Sequence, residues 1–313
     1  MLLRILGSLL RHTSAELWLD AYFKKEAKRA ILVAPGYNAK KTRRLLQILS
    51  ASYPRPQYRV SHNNGVILKT DVSDTLGATL FYGFPTADAF ELEIVSKLVA
   101  PRDVCIDIGA NIGLYTLTMA QAMGTEGRIY SFEPSPQTFT LLKENIALNS
   151  LSNITLEQAA VSERSGKAAL TVTSESGLAS LGNTGRGTIT GSVRVPTVSL
   201  DEYTARYNIR PDFIKIDVEG FEGHVIRGAR RTLQEGDAAL LIELDKKNFD
   251  ALGISKEKIL KDLRALRFVG WSIDRTHKKL VPAEVEKGVN YLFVKEGGVR
   301  EKRAKEMLAA FLQ

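Results

Sequence analysis

The residues of this chain best suited to chemistry lie in one run, Asp107-Ile108-Gly109-Ala110-Asn111-Ile112-Gly113, and in the acids that follow it. The run closes an apolar segment, Val104–Ile108, and opens another with helical spacing, Leu114–Met123. Glycines between a strand and a helix permit a tight turn and let the backbone come close to a bound ligand. Glu133, in Ser131-Phe132-Glu133-Pro134-Ser135-Pro136, stands 24 residues after Gly109. That is near the roughly 20-residue offset at which a carboxylate meets ribose hydroxyls. Loop and acid together suit a ligand that carries a nucleoside.

Two ligand classes could use this arrangement. A dinucleotide site wants G-x-G-x-x-G, with the pyrophosphate at the helix N-terminus. Here the spacing is G-x-x-x-G, and Asn111 stands where the second glycine would be. Asp107, two residues ahead of the loop, would repel a pyrophosphate and suit the cationic amino-acid end of S-adenosylmethionine. The loop favours a methyl donor over NAD.

Methyl transfer to a hydroxyl needs positioning and a place for the departing proton. In a doubly wound sheet such groups sit at the carboxyl ends of strands, near the topological switch point. That rule selects Asp217, which closes Phe213-Ile214-Lys215-Ile216, and Glu243, which closes the next apolar run. His224, in the following helical turn, is a candidate proton acceptor. Glu219 and Glu222, near a helix start, could equally serve the helix dipole. These acids with His224 could instead hold a divalent cation through oxygen ligands, but the pattern assigns no metal ligand. Lys215 alternates with Ile214 and Ile216 and reads as structural, on the opposite face of the sheet. Cys105, next to Ile106 in a strand, reads as core, which argues against a cysteine-nucleophile base methylase. An Asn/Asp-Pro-Pro-aromatic tetrad, the mark of amino-group DNA methylases, is absent from the sequence.

The elements that must position these residues follow from the pattern. After Pro54 and Pro56, Tyr58–Ser61 and Val66–Lys69 flank Asn63-Asn64-Gly65 as a hairpin. Ala87–Val99 reads as a helix. Strands are expected at 104–108, 128–132, 154–161, 213–217, 239–244, 269–273 and 289–294. Helices are expected at 114–123, 137–149, 222–233 and 256–266. Alternation of this kind means a parallel sheet with crossover helices. Only about 15 residues separate the last two strands, too few for a helical crossover, so they form an antiparallel pair. The expected fold is α/β, a Rossmann-like, seven-stranded, mainly parallel sheet with an antiparallel last strand. A helical and hairpin extension precedes it. Thr173–Arg194, rich in Ser, Thr and Gly (Gly177, Gly182, Gly185, Gly187, Gly191), reads as a mobile substrate-side loop.

Several motifs together resemble the FkbM-type family of S-adenosylmethionine-dependent methyltransferases. They are Ile106–Thr116, Phe132–Pro136 with Asn145 and Asn149, Ala159–Ser162, Val198–Glu202, Phe213–Gly228 and Leu241–Glu243. The resemblance covers roughly residues 60–295. It implies the class I methyltransferase fold, S-adenosylmethionine as cofactor, and O-methylation of sugars, polyketides or other secondary metabolites. It also implies that Asp107, Gly109, Asn111 and Gly113, with Ala110 between them, line the methionine part of the cofactor. Glu133 would hold the ribose, Pro134 and Ser135 would lie beside the adenine, and Ala159 and Ala160 would border its edge.

The chain has 313 residues, 44% hydrophobic and 25% charged, an ordinary globular composition that excludes fibrous and wholly disordered classes. A single cysteine excludes an internal disulfide and a cysteine-based zinc site. With no apolar stretch near the start long enough to span a bilayer, a soluble, cytoplasmic protein is expected. The net charge of +8 is uneven: residues 1–60 hold 12 Lys and Arg against Glu16, Asp20 and Glu26. Ala15–Val33 and Lys40–Leu49 read as two basic amphipathic helices broken at Pro35-Gly36. With Met1–Leu10 and Trp18, residues 1–50 are a candidate for peripheral membrane contact. Expected domains are a basic extension (1–56), a hairpin and helix (57–100), the cofactor-binding domain (101–296) and a C-terminal helix (297–313). The expected partner is a small-molecule or glycan acceptor, with no specific nucleic acid. The alternatives are an RNA methylase recruited by the basic segment and a non-catalytic cofactor-binding regulator. Oligomeric state is not legible in the sequence.

Overall fold

The computed structural model describes residues 21–25, 44, 46–48, 50, 51, 53 and 56–312, apart from 64, 85, 174–177, 183, 186 and 187. Met1–Leu10, Trp18, Pro35-Gly36, and most of 15–33 and 40–49 lie outside the described residues. The described residues 21–25, 44, 46–48, 50 and 51 are helical. The chain forms two compact units, residues 1–89 with 147–149, and residues 90–146 with 150–313.

In the first unit, β1 (Tyr58–Asn63) and β2 (Val66–Asp71) pair antiparallel with Asn63 opposite Val66. Gly65 adopts φ 88°, the positive value that a two-residue hairpin turn requires. Helix α1 (Thr75–Tyr82) follows, and the hydrophobic pattern did not reveal it. Its signal lies at its ends. The Asp74 carboxylate accepts from the Gly77 amide at 2.6 Å, and Gly83 caps the other end at φ 76°. Phe23, Leu46, Tyr53, Val72, Ala78, Tyr82 and Phe84 form this unit's core.

The second unit begins with α2 (Ala89–Leu98), β3 (Val104–Ile108), α3 (Leu114–Met123), β4 (Arg128–Phe132), α4 (Pro136–Leu148) and β5 (Ile154–Glu157). Then come β6 (Ala160–Ser162), β7 (Gly166–Thr173), β8 (Ile189–Ser199), α5 (Leu200–Tyr207), β9 (Phe213–Ile216), α6 (Glu222–Gly228) and α7 (Arg230–Glu235). It closes with β10 (Ala239–Glu243), α8 (Lys246–Leu252), α9 (Lys256–Ala265), β11 (Phe268–Asp274), β12 (Lys279–Pro282), β13 (Asn290–Lys295) and α10 (Val299–Met307).

The main sheet runs β12-β11-β13-β10-β9-β3-β4-β5. β3, β4, β5, β9 and β10 run parallel to one another, and β13 lies antiparallel between β10 and β11. This is the class I methyltransferase architecture, with one strand more than the seven expected. The extra strand, β12, comes from a stretch read as a connection. Its Lys279 and Pro282 masked the pattern, yet Leu280 and Val281 between them are buried. Two further expectations need correction. The segment 154–161 is two strands: β5 stays in the main sheet, while β6 joins a three-stranded sheet ordered β6-β8-β7. Residues 189–194 are not loop but the first half of β8, paired with β7. Gly191 and Ser192 interrupt the period-two run of β-branched residues there, so composition suggested a loop.

Alternation along the parallel strands divides the core. Ile106, Ile108, Ile214, Ile216, Leu240 and Ile242 face one side, with residues of α5, α6 and α9. Cys105, Phe213, Leu241 and Leu292 face the other, against α2, α3 and α10. Cys105 is buried, as expected of a core residue, and burial pushes its thiol pKa up. Among the described residues, no helix is long and apolar enough to cross a membrane.

Arg300, in α10, locks the N-terminal ends of the central strands. It donates to both Asp103 oxygens, at 3.0 and 3.1 Å, and to Asp212. Asp212 in turn accepts from the Val104 amide at 2.8 Å. Replacing Arg300 by Ala leaves Asp103 buried without its counter-ion. The expected loss is about 2–3 kcal/mol, below the 3–5 of a fully buried pair because Asp212 is partly exposed. A lowered urea midpoint with an unchanged slope measures it.

Candidate active site

The glycine loop is fixed between two strands. The Gly109 and Ala110 amides both donate to the Phe132 carbonyl, at 3.0 and 2.9 Å. Gly109 has φ 78°, and a Cβ there would lie 1.8 Å from the Asp217 carbonyl oxygen. Asn111 (φ 50°) and Gly113 (φ 97°) also take left-handed backbone, the latter opening α3. The Asn145 amide donates to the Ile112 carbonyl at 2.8 Å, tying α4 to the loop.

Glu133 clasps this loop to its own turn. One oxygen accepts from the Asn111 amide at 3.0 Å, the other from the Ser135 amide at 2.9 Å. Burial raises its pKa to about 7, against the lowering by those two amides and by Lys215. Ser135 is turned inward, its hydroxyl accepting from Thr138 Oγ1 at 3.1 Å at the start of α4, and Pro134 precedes it. Ala159 and Ala160 are buried where the chain leaves β5 for β6. Nearby, Glu157 accepts from the Tyr203 hydroxyl at 2.8 Å, and Tyr203 packs edge-on against Phe132.

Asp107 is fully buried in β3. Its Oδ2 accepts from Thr116 Oγ1 at 2.6 Å, and its Oδ1 lies 3.7 Å from Lys215 Nζ. Burial raises its pKa, while Lys215 and Thr116 oppose the rise. Lys215 does point away from Ile214 and Ile216, as alternation required. But that is the face of Asp107, which pairs with it in register across β3 and β9. Lys215 Nζ donates to the Gly109 carbonyl at 2.9 Å, sits 3.3 Å from Asp217 Oδ2, and lies over the Tyr115 ring. The structural reading of Lys215 is therefore corrected: it stands at the centre of the candidate site. The signal was a lysine inside an otherwise apolar strand, a residue almost never buried unless paired.

At the ends of β9 and β10, Asp217, Glu219 and Glu243 converge, one oxygen of each within 4.8 Å of the others. Glu219 takes φ 51°. Its side chain accepts from Asn248 Nδ2 at 2.9 Å, and its carbonyl accepts from Ser180 Oγ at 2.8 Å. Glu222 is buried, accepting from the Val218 and Gly220 amides at 3.1 and 3.2 Å. Burial pushes the Glu222 pKa up to about 8, and burial with Asp217 and Glu219 raises Glu243 well above the carboxylate range. His224 does not join this group. It stacks on Phe221, and its charged neighbours are Arg227 and Glu163. Burial and Arg227 lower its pKa.

Of the residues chosen from sequence, Asp107, Gly109, Ala110, Asn111, Gly113, Glu133 and Ser135 thus form one connected loop system. Asp217 and Glu243 form a second group that Lys215 joins to it. Lys215 and Asn248 were not selected, the latter because nothing local marks it, and Glu219 was weighed only as a helix-dipole acid or one of several cation ligands.

A family model described as the methyltransferase FkbM domain matches residues 107–269, more than half of the chain. The chain belongs to the FkbM methyltransferase family. It is 32% identical over 133 residues to the hexuronic acid methyltransferase AglP of Haloferax volcanii, covering 42% of this chain and 52% of that protein. It is 27% identical over 161 residues to the 2-O-methyltransferase NoeI of Sinorhizobium fredii, covering 45% and 63%. The chain thus matches between half and two thirds of the length of these relatives. Among solved structures, the FkbM methyltransferase of Methylobacillus flagellatus aligns with TM-score 0.43 and 17% identity, over 71% of this chain and 54% of that one.

Two consequences of the FkbM loop geometry can be measured. Gly109→Ala meets both the positive φ and the Asp217 carbonyl, so a loss of about 3 kcal/mol or more is expected, read as a fall in thermal midpoint. Glu133 holds its proton more tightly folded than unfolded. Its contribution to stability is therefore full below pH 4.5 and is lost as the pH rises through about 7. Glu133→Gln should flatten the decline in unfolding free energy between pH 5 and 7.5 by up to about 3 kcal/mol; equal slopes in both proteins would contradict it.

Proposed function

We propose that this FkbM family member is an S-adenosylmethionine-dependent O-methyltransferase acting on a hydroxyl of a sugar or uronic acid. The observation that carries the proposal is the joining of two groups through Lys215: the Asp107–Glu133 loop system, and the Asp217–Glu243 acids at the adjacent strand ends.

The loop system fits the cofactor chemically. Asp107 Oδ1 and Asn111 Oδ1 are buried acceptors without a hydrogen bond among the described residues. A ligand rich in donors, with an ammonium and ribose hydroxyls, supplies what they lack. Asp107 beside Lys215 offers a negative and a positive group 3.7 Å apart, a match for the zwitterionic end of an α-amino acid. Glu133 uses one lone pair on each oxygen for the backbone and keeps capacity for a diol. When bound, S-adenosylmethionine supplies an electrophilic methyl group on a sulfonium sulfur.

The acids would handle the acceptor. Asp217, 3.3 Å from the Lys215 ammonium, stands at the strand end where it can take the proton of an incoming hydroxyl. Glu243, whose pKa burial and Asp217 raise, holds its proton more readily than a free carboxyl and can donate a hydrogen bond to a neighbouring acceptor oxygen. A donor and a base side by side suit adjacent oxygens on a sugar ring. The names of the two relatives, a hexuronic acid methyltransferase and a 2-O-methyltransferase, support a carbohydrate acceptor.

Calorimetric titration tests the first half: S-adenosylhomocysteine should bind and NAD should not, and the reverse result overturns the reading. For the second half, methyl transfer to a panel of free and glycosidic hexuronic acids and neutral sugars is measured by mass increase. Asp217→Asn should cut kcat by about 10²–10⁴-fold with S-adenosylhomocysteine affinity within a factor of three or so. Full turnover in that variant would exclude Asp217 as the base.

A further inference from the structure

The carboxyl edge of the main sheet continues past Glu243. β10 and β11 both run antiparallel to β13, so the end of β11 lies on the same edge as the ends of β9 and β10. Asn290 opens β13 directly opposite Glu243, on the same face of the pair. Arg275 follows the last residue of β11, about 10 Å from the end of β10 at two strand spacings.

Arg275 is held from behind. Glu91, in the first turn of α2 and 0% exposed, accepts from Arg275 Nε and, on the same oxygen, from Asn290 Nδ2 at 3.0 Å. The guanidinium is therefore drawn toward β13, within two hydrogen bonds of Asn290. The turn that carries it is fixed as well: the buried Asp274 accepts from the Thr276 and His277 amides at 3.0 and 3.1 Å. Even so, the Arg275 side chain is 31% exposed.

Stability does not explain this arrangement. Glu91 Oε2 is buried with no hydrogen-bond partner among the described residues, so the ion pair leaves half of a buried carboxylate unsatisfied. Such a pair is often no better for stability than apolar residues of the same volume. What it does achieve is a guanidinium of fixed direction at the edge where the acids converge. A guanidinium has five donors, of which Glu91 takes the one on Nε, and its planar fork matches a carboxylate.

We propose that Arg275 is a specificity-determining residue that binds the carboxylate of a uronic acid acceptor, with Glu91 as its positioning residue. Asn290 lies between that carboxylate and Glu243. The proposal rests on the functional reading above and narrows its substrate class to a carboxylated sugar. The uncharged ring hydroxyls lie over the acids of β9 and β10, and the negative charge sits two strands away from them. A carboxylate suits this edge better than a phosphate. Asp217, Glu219 and Glu243 make each added negative charge costly, and a phosphate monoester brings nearly two.

Calorimetric titration of the full chain, with and without S-adenosylhomocysteine, is the test. The probes are the methyl glycosides of glucuronic and galacturonic acid, set against methyl glucoside and methyl galactoside. At least one uronide should bind about tenfold or more tightly than its neutral counterpart. Arg275→Gln should erase that ratio, and the near-isosteric Glu91→Gln should reduce it, in protein whose circular dichroism matches the parent. Arg275→Lys, which keeps the charge, should retain part of the preference, a pattern that a merely structural role would not produce. Equal affinities, no binding of either uronide, or an unchanged ratio in Arg275→Gln overturns the proposal. Tighter binding of glucose 6-phosphate than of either uronide overturns the choice of carboxylate. S-adenosylhomocysteine binding without a uronide preference sinks the subsite and spares the methyltransferase reading. A preference lost in Arg275→Gln, with no S-adenosylhomocysteine binding, does the opposite.

Discussion

Lys215 carries an ammonium into the middle of a parallel sheet, 5% exposed, with an acid on either side. Burying such a charge is tolerable only if it is paired and hydrogen-bonded. Here the pairing does the organising. Asp107 neutralises it from β3, Asp217 from the end of its own strand, and the Gly109 carbonyl accepts from it. Each of these partners is in turn a landmark of the site. The glycine loop cannot drift from β9 without stripping the ammonium of an acceptor, nor approach further without Gly109 meeting the Asp217 carbonyl. The glycine loop and the ends of β9 and β10 are held at one spacing by a single side chain.

A second layer of order comes from how burial treats the acids. Asp107, Glu133, Glu222 and Glu243 are all shifted upward, and desolvation is the leading cause in each. They differ in what opposes the shift. Glu133 has two backbone amides, Asp107 has Lys215 and Thr116, whereas Asp217, Glu219 and Glu222 add to the rise at Glu243. The loop end of the site is thus a region of compensated charge, and the β10 end a region of surplus. A zwitterionic nucleoside suits the first, and the neutral hydroxyls of a polyol suit the second.

Much of the fold was legible because the parallel strands are near-continuous apolar runs bounded by turn residues, as in Val104–Ile108 and Phe213–Ile216. The glycine loop and Glu133 were legible because their spacing is local. What escaped did so for identifiable reasons. β12 hid behind Lys279 and Pro282, and β8 behind the polar residues of its first half. α1 announced itself only through Asp74 and Gly83, since its apolar residues have no clear stripe. His224 drew attention by residue type, yet its ring stacks on Phe221 and is not among the acids that converge at the strand ends. Lys215 was read for its face and not for its cross-strand neighbour. Pairing Asp107 with Lys215 requires knowing that β3 and β9 are adjacent, which sequence order, with the two residues 108 positions apart, conceals.

β12 also changes the boundary of the main sheet. An exposed edge strand offers unpaired amides and carbonyls to any other extended chain. In this protein β12 takes up the edge of β11, and its own outer side is not left open. The Leu280 amide donates to the Phe311 carbonyl at 2.7 Å, and Leu280 forms a bridge with Leu312. Phe311 is itself pinned edge-on against Phe90. The residues after α10 therefore act as a cover strip over the last strand, guarding this side of the sheet against edge-to-edge aggregation.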